Sequence, residues 1–306
     1  GEFTVADLRS TQGEVGTLDY SDPARPGWSV GRATTLAELS LSGLRETSEK
    51  TLAGRSVPCP SCGATLAPTL ASTQSMSCPQ CRAVVDLSSA AGGVGGDLAH
   101  YAQNNSGPGG LGPQIALGST GRLALGAEGP LDWTVVGYME RCDLPSPGDD
   151  SEEQSFWREY LLYHRTEGFA FLVDAQDGWS WTAPITGVPE RAGDGVKYQG
   201  VLYRKLYDYA GKATYVLGEF YWKLERDAKT FNTDYMGTGA FGMRRLNREQ
   251  TGQGADQEVV WSAGETLSAD AVLKAFKLAP EKSAAFQRDA LPTSGNASSV
   301  LAKVFF

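Results

Sequence analysis

Four cysteines carry the clearest chemistry in this sequence. Cys59-Pro-Ser-Cys62 and Cys78-Pro-Gln-Cys81 are two Cys-x-x-Cys pairs with 15 residues between them. A two-residue gap lets both thiolates of one turn reach a single tetrahedral ion, and two such turns complete a four-sulfur site. Four sulfur ligands leave no open position for water or substrate, so the expected role is a structural zinc site. Gly63 follows the first pair and suits the left-handed backbone that such a turn needs. Thr65-Leu66 and Val84-Val85 are candidates for the short strands of a zinc ribbon. A redox reading requires one pair inside a βαβ pattern, which the sequence lacks. Loss of Cys62 is expected to unfold residues 55–88 and to spare the rest. Cys142 stands apart and reads as a small buried apolar residue.

No other constellation points to catalysis. The chain has two histidines. His100 falls in a Gly-rich stretch, and His164 follows an aromatic segment as a strand-end residue. Four carboxylates sit in or beside aromatic runs: Glu159, Glu219, Asp234 and Glu258. Such residues either face solvent by strand alternation or are buried with a partner. Arg158, Arg204 and Lys223 are the cations at hand. Convergence of the four in one concavity would make a site for a small cation such as a polyamine. No Gly-rich loop fits a phosphate cradle, and no nucleophile elbow is present.

Composition narrows the classes further. The 306 residues carry a net charge of −9, which argues against a general nucleic-acid binder, because such proteins need a basic face to displace counterions. Five cysteines at this length do not make a disulfide scaffold. Seven Trp, 12 Tyr and 11 Phe favour strands.

Short strand-like runs recur between turn signals. They include 133–138, 157–163, 168–173, 179–181, 200–207, 213–224 and 258–261. This pattern predicts a mainly β fold, an antiparallel sandwich or barrel, over residues 114–278. Ser268 is placed to cap one short helix, with Val272, Leu273 and Phe276 on its buried face. Residues 55–88 form the ribbon and residues 89–113 a flexible linker. Residues 279–306 read as a polar tail. An internal echo joins the two ends of the chain. Gly1-Glu2-Phe3, Asp19-Tyr20 and Trp28-Ser-Val-Gly31 match Gly218-Glu219-Phe220, Asp234-Tyr235 and Trp261-Ser-Ala-Gly264. Residues 1–50 therefore read as the closing part of a first domain copy, and the apolar ends suggest a chain that continues, with a membrane segment after residue 306.

The Cys-Pro-x-Cys-Gly turn, Leu117-Gly-Ser-Thr-Gly-Arg-Leu123, Trp133-Thr-Val-Val-Gly-Tyr138, Trp157-Arg-Glu-Tyr-Leu-Leu162, Val216-Leu-Gly-Glu-Phe-Tyr-Trp222 and Glu258-Val-Val-Trp-Ser-Ala-Gly264 together resemble the bacterial family catalogued as domain of unknown function 4178. The resemblance implies a β-rich domain paired with a zinc ribbon and tethered at the inner face of the cytoplasmic membrane. It also implies a place beside polyamine-synthesis-like enzymes in an envelope or stress system. It transfers no active residues. The resulting expectation is a non-catalytic interaction module with a membrane-associated protein partner and no nucleic acid. Tyr198, Tyr203, Tyr207, Tyr209 and Tyr215 would form its exposed contact surface. The alternative is a binder or enzyme for a small cationic metabolite.

Overall fold

In a computed structural model, the described residues are 5–10, 14–20, 22, 24–32, 56–87, 111–126, 129–144, 154–224, 228–252, 257–279, 281 and 286. The prediction of a mainly β chain holds, and the barrel alternative is the one realised. Its wall uses β9 (Pro130–Asp143), β10 (Phe156–His164), β11 (Gly168–Ala175) and β12 (Gly178–Pro184). It continues with β15 (Val201–Phe220), β16 (Lys229–Gly237), β17 (Arg244–Thr251) and β18 (Glu258–Leu267). The ring order is β15-β16-β17-β18-β12-β11-β10-β9 and back to β15, antiparallel throughout.

Closure depends on the 20-residue strand β15. Tyr203 to Lys212 pair with β16, and Gly211 to Gly218 pair with β9. One bent strand thus seals both edges of the sheet, which removes the exposed edge that an open sheet would carry. Gly211 belongs to both pairings, and a Cβ there would lie 2.9 Å from the Trp157 ring. The ring therefore closes tightly only because this residue has no side chain.

Two parts of the barrel's outer surface are covered rather than solvated. Helix α1 (Ala269–Ala275) lies against β8 (Thr120–Ala124) and places Val272 and Phe276 on the core that holds Trp133, Tyr160 and Trp179. Ser268 caps it by accepting from the Ala271 N–H, as its sequence predicts. Phe286 stacks on Trp179 with centroids 5.1 Å apart, and its carbonyl accepts from the Trp179 indole. The expected polar tail thus returns to the barrel at this residue, because an aromatic side chain gains more from burial than its polar neighbours lose. A second outer core forms where β13 (Glu190–Ala192) and β14 (Gly195–Tyr198) fold over Tyr203, Tyr235, Leu246 and Trp261.

Two smaller sheets lie outside the ring. The Cys pairs sit in the turns that join β4 (Val57–Pro58) to β5 (Thr65–Leu66) and β6 (Ser75–Ser77) to β7 (Val84–Asp86). β6 also pairs with the end of β15, Met76 opposite Glu219. Near the start of the chain, β1 (Val5–Arg9), β2 (Glu14–Asp19) and β3 (Gly27–Arg32) form a separate meander. The Trp-Ser-x-Gly part of the echo lies on β3, at the edge of the meander, and on β18, between β17 and β12 in the ring. The Asp-Tyr part differs as well: Asp19 lies on the strand next to β3, whereas Asp234 lies two strands from β18. Gly1 to Phe3, His100 and nearly all of the predicted linker lie outside the described residues. No helix among those described is long and apolar enough to cross a membrane.

Candidate metal centre and barrel interior

The ribbon brings its four cysteines together. The Sγ atoms of Cys59, Cys62, Cys78 and Cys81 all lie within 4.8 Å of one another, with Cys59–Cys81 at 3.6 Å and Cys62–Cys78 at 3.7 Å. A tetrahedral ion with bonds of about 2.3 Å to sulfur requires edges of about 3.8 Å. Two opposite edges match that spacing, and all the Sγ atoms lie within an ångström of it, so the four thiols are placed to hold such an ion. The two turns repeat one design. Gly63 N–H donates to the Cys59 carbonyl and Arg82 N–H to the Cys78 carbonyl, both at 2.8 Å. Gly63 and Arg82 both adopt positive φ, 75° and 63°. Burial raises the thiol pKa of Cys59 and of Cys81. At Cys78, burial is outweighed by the N–H groups of Cys81 and Gln80, which pull its thiol down to about 7. Inward-pointing amides of this kind stabilise thiolate, the form that binds metal.

Docking of the ribbon on the barrel uses Glu219, one of the four carboxylates marked in the sequence. Its carboxylate accepts from the N–H groups of Thr69 and Leu70 and from the hydroxyls of Thr69 and Thr73, at 2.6–3.2 Å. It is therefore fully engaged inside the protein and offers nothing to a ligand. Ser77 accepts from Gly218 N–H and Ser75 from Leu224 N–H. Val84 packs into a cluster with Met139, Leu161, Val216 and Phe220.

The other site is the inside of the barrel. Register places Met139, Arg141, Trp157, Glu159, Leu161, Phe169, Phe171, Tyr207, Tyr209, Asn232, Asp234, Arg245, Asn247 and Glu249 on one face of the closed sheet. Contacts between strands that are not neighbours show that this face points inward. Arg141 on β9 donates to Glu249 on β17 at 2.9 Å, and Phe169 on β11 stacks on Tyr221 after β15 at 4.3 Å. On β11 the outward residues Ala170, Leu172 and Asp174 are buried, while the inward Phe169, Phe171 and Val173 keep partial exposure. The interior is thus the accessible side of the wall, and the outside is the packed one.

From the ribbon end the interior changes character. Met139, Leu161, Val216, Phe169, Phe171, Tyr221 and Trp222 make an apolar floor. Above it, Arg141 bridges Glu159 at 3.3 Å and Glu249 at 2.9 Å, and also donates to the Thr230 hydroxyl. Glu159 accepts from the Trp157 indole at 2.7 Å. Burial disfavours the Arg141 charge, but its two carboxylates more than offset this and raise its pKa. Near the far end are Tyr207, Asp234, Arg245 and Asn247, with Asp177 in the turn between β11 and β12. Burial first, and the Asp177 charge in addition, push the Asp234 carboxyl up to about 6, although Asn247 donates to it at 2.7 Å. Burial also raises Asp177 and lowers Arg245. Among the described residues, Asp234 forms no ion pair.

Two of the four carboxylates marked in the sequence therefore converge, Glu159 and Asp234. Glu219 is taken by the ribbon, and Glu258 is exposed at the start of β18. The partner of Glu159 is Arg141 rather than Arg158, because neighbouring strand residues point to opposite faces. Arg158 pairs outward with Asp174 at 2.6 Å. Reasoning from sequence missed Asp177, Arg245 and Glu249; the polar alternation Arg245, Asn247, Glu249 along β17 is the signal that could have found them. The expected tyrosine surface is also corrected. Tyr203 and Tyr215 are only 3% and 2% exposed, and Tyr207 and Tyr209 face inward. Cys142 is buried and His164 ends β10, as expected.

The fold and its sites define a closed eight-stranded antiparallel barrel with a polar interior and a four-cysteine ribbon docked at one end. Residues 129–269 match the family described as Domain of unknown function (DUF4178), and that segment of the chain belongs to it. The ribbon lies outside the matched residues. No curated protein and no solved structure matches the chain.

Proposed function

We propose that this protein is a non-catalytic binding module whose barrel interior takes a small cationic metabolite of the polyamine class, and whose ribbon holds a structural zinc ion. The supporting observation is the charge of the interior. Glu159, Asp177, Asp234 and Glu249 meet Arg141 and Arg245 there, with Arg204 on the same face toward the rim, so these carboxylates outnumber the cations by one when all are ionised. Trp157, Tyr207 and Tyr209 supply faces for cation–π contact. An ammonium group beside Asp234 would restore the ionised form that burial now disfavours. Affinity should therefore fall as pH drops through about 6. Zinc is the reading for the ribbon because four thiolates at tetrahedral spacing select a soft tetrahedral ion and leave it no open position.

Isothermal titration of the zinc-loaded chain with spermidine tests the ligand reading. The expected result is saturable binding at pH 8 that weakens at least tenfold at pH 5. Absence of heat and of thermal stabilisation at millimolar spermidine would remove the reading.

A second reading is a protein-interaction scaffold of an envelope or stress system. It draws on the meander, where Leu8, Trp28 and Val30 are exposed, the last two at 61% and 80%. Large exposed apolar side chains that cluster in one small sheet mark protein contact.

A further inference from the structure

The ribbon and the interior share a wall. β6 extends the sheet by pairing with the last residues of β15, and Gln74 N–H donates to the Phe220 carbonyl at 2.8 Å. Val84 of β7, three residues beyond Cys81, enters the same cluster as Met139, Leu161 and Val216. Those three residues are the floor of the interior. The loop holding Thr69, Leu70 and Thr73 has no metal ligand of its own, yet it lies between the two Cys pairs in sequence. Its attachment is the Glu219 carboxylate, which is only 7% exposed. On the other side of the wall, Arg82, which follows Cys81, donates to the Tyr215 hydroxyl at 3.2 Å.

We infer that the ribbon is the end cap of the barrel, and that metal occupancy controls how firmly the interior is closed through the Glu219 clamp. The ribbon has a core of only a few apolar residues, including Leu66, Met76, Val85 and Leu87. A unit this small folds on its metal, since the binding free energy of such a site is its folding free energy. Without the ion, the loop donors leave Glu219, and Val84 leaves the floor. The carboxylate then sits against apolar residues with no donors, a state the wall can relieve only by opening to water. The rest of the ring keeps its own pairings and its helix-covered core. Metal loss is therefore expected to open one end of the barrel and leave the ring intact.

This regulation builds on the interior-site reading. Its test uses no ligand, however, so either can fail alone. Hydrogen exchange is measured on the full chain in three forms: zinc-loaded, chelated, and zinc-loaded Glu219→Gln with metal content determined. In the chelated form, amides of residues 136–140 and 214–218 are expected to exchange at least tenfold faster. Amides of 178–183 and 261–266 should be unchanged. Glu219→Gln, with its zinc retained, should speed the first two segments part of the way. Faster exchange confined to residues 56–87 would overturn the inference. So would collapse of all four barrel segments, or wild-type protection of 136–140 in Glu219→Gln.

Discussion

Glu219 and Asp234 are carboxylates of similar sequence setting, each beside an aromatic residue on a long strand, and the fold treats them oppositely. Glu219, at the ribbon end of β15, accepts from two backbone amides and two hydroxyls. Asp234, on β16 opposite Tyr207, accepts from the Asn247 amide and lies beside the Tyr207 hydroxyl. The first is an internal fastener whose lone pairs are satisfied. The second is held in a protein environment that penalises its charge. A buried carboxylate that has its donors is structure, whereas one that lacks a cation has capacity to meet one.

The largest effect should come from the fastener's own foundation. Cys62→Ser is expected to abolish stoichiometric metal binding, because three thiolates forfeit most of the roughly 10–16 kcal/mol that such sites supply. Metal analysis with a thermal melt checks this. The sequence alone suggested that the main sheet would be spared. The docked ribbon changes that expectation to a lower melting temperature for the barrel as well. Next is Arg141→Met, which leaves Glu159 and Glu249 facing each other without their shared cation. A loss of about 3 kcal/mol in denaturant melts at pH 8 is expected. Retained stability at pH 8 would show that water screens the interior more than the packing implies.

Glu219→Ala should cost about 2 kcal/mol, since it removes the acceptor of the buried Leu70 amide and of the Thr69 amide. Zinc binding should persist, and equal stability with wild type would break the contrast with Asp234. The remaining effect has the opposite sign. The folded-state pKa of Asp234 is raised to about 6, above an unfolded value near 4, so the folded state binds the proton more tightly. Stability from this group is present below pH 4 and is lost as pH rises through 6. Asp234→Asn should therefore stabilise the protein by about 2 kcal/mol at pH 8 and change little at pH 4. Paired melts at the two pH values measure it. A uniform destabilisation would mean that the carboxylate is needed by the fold.

Much of the design was legible before any coordinates. The Cys-x-x-Cys spacing specified the ribbon, because the tetrahedral demand acts over a few residues. Strand periodicity and the Ser268 cap are equally local, and both hold. The barrel required more. Alternation says that Glu159 and Arg158 face opposite ways, but not which way is inward. In this protein the usual preference is reversed, with aromatics such as Trp133 and Tyr160 outside under a helix and charges inside. The tyrosines expected on the surface were misjudged for that reason.

The sequence by itself determined the four-cysteine cluster, the β class and the helix cap, since each depends on neighbours within a turn or two. Only the tertiary structure decided that β15 closes the ring and which carboxylates share the interior. It also decided that Glu219 belongs to the ribbon, some 150 residues earlier in the chain. Those outcomes depend on register between distant strands, and a shift of one residue would turn every inward charge outward.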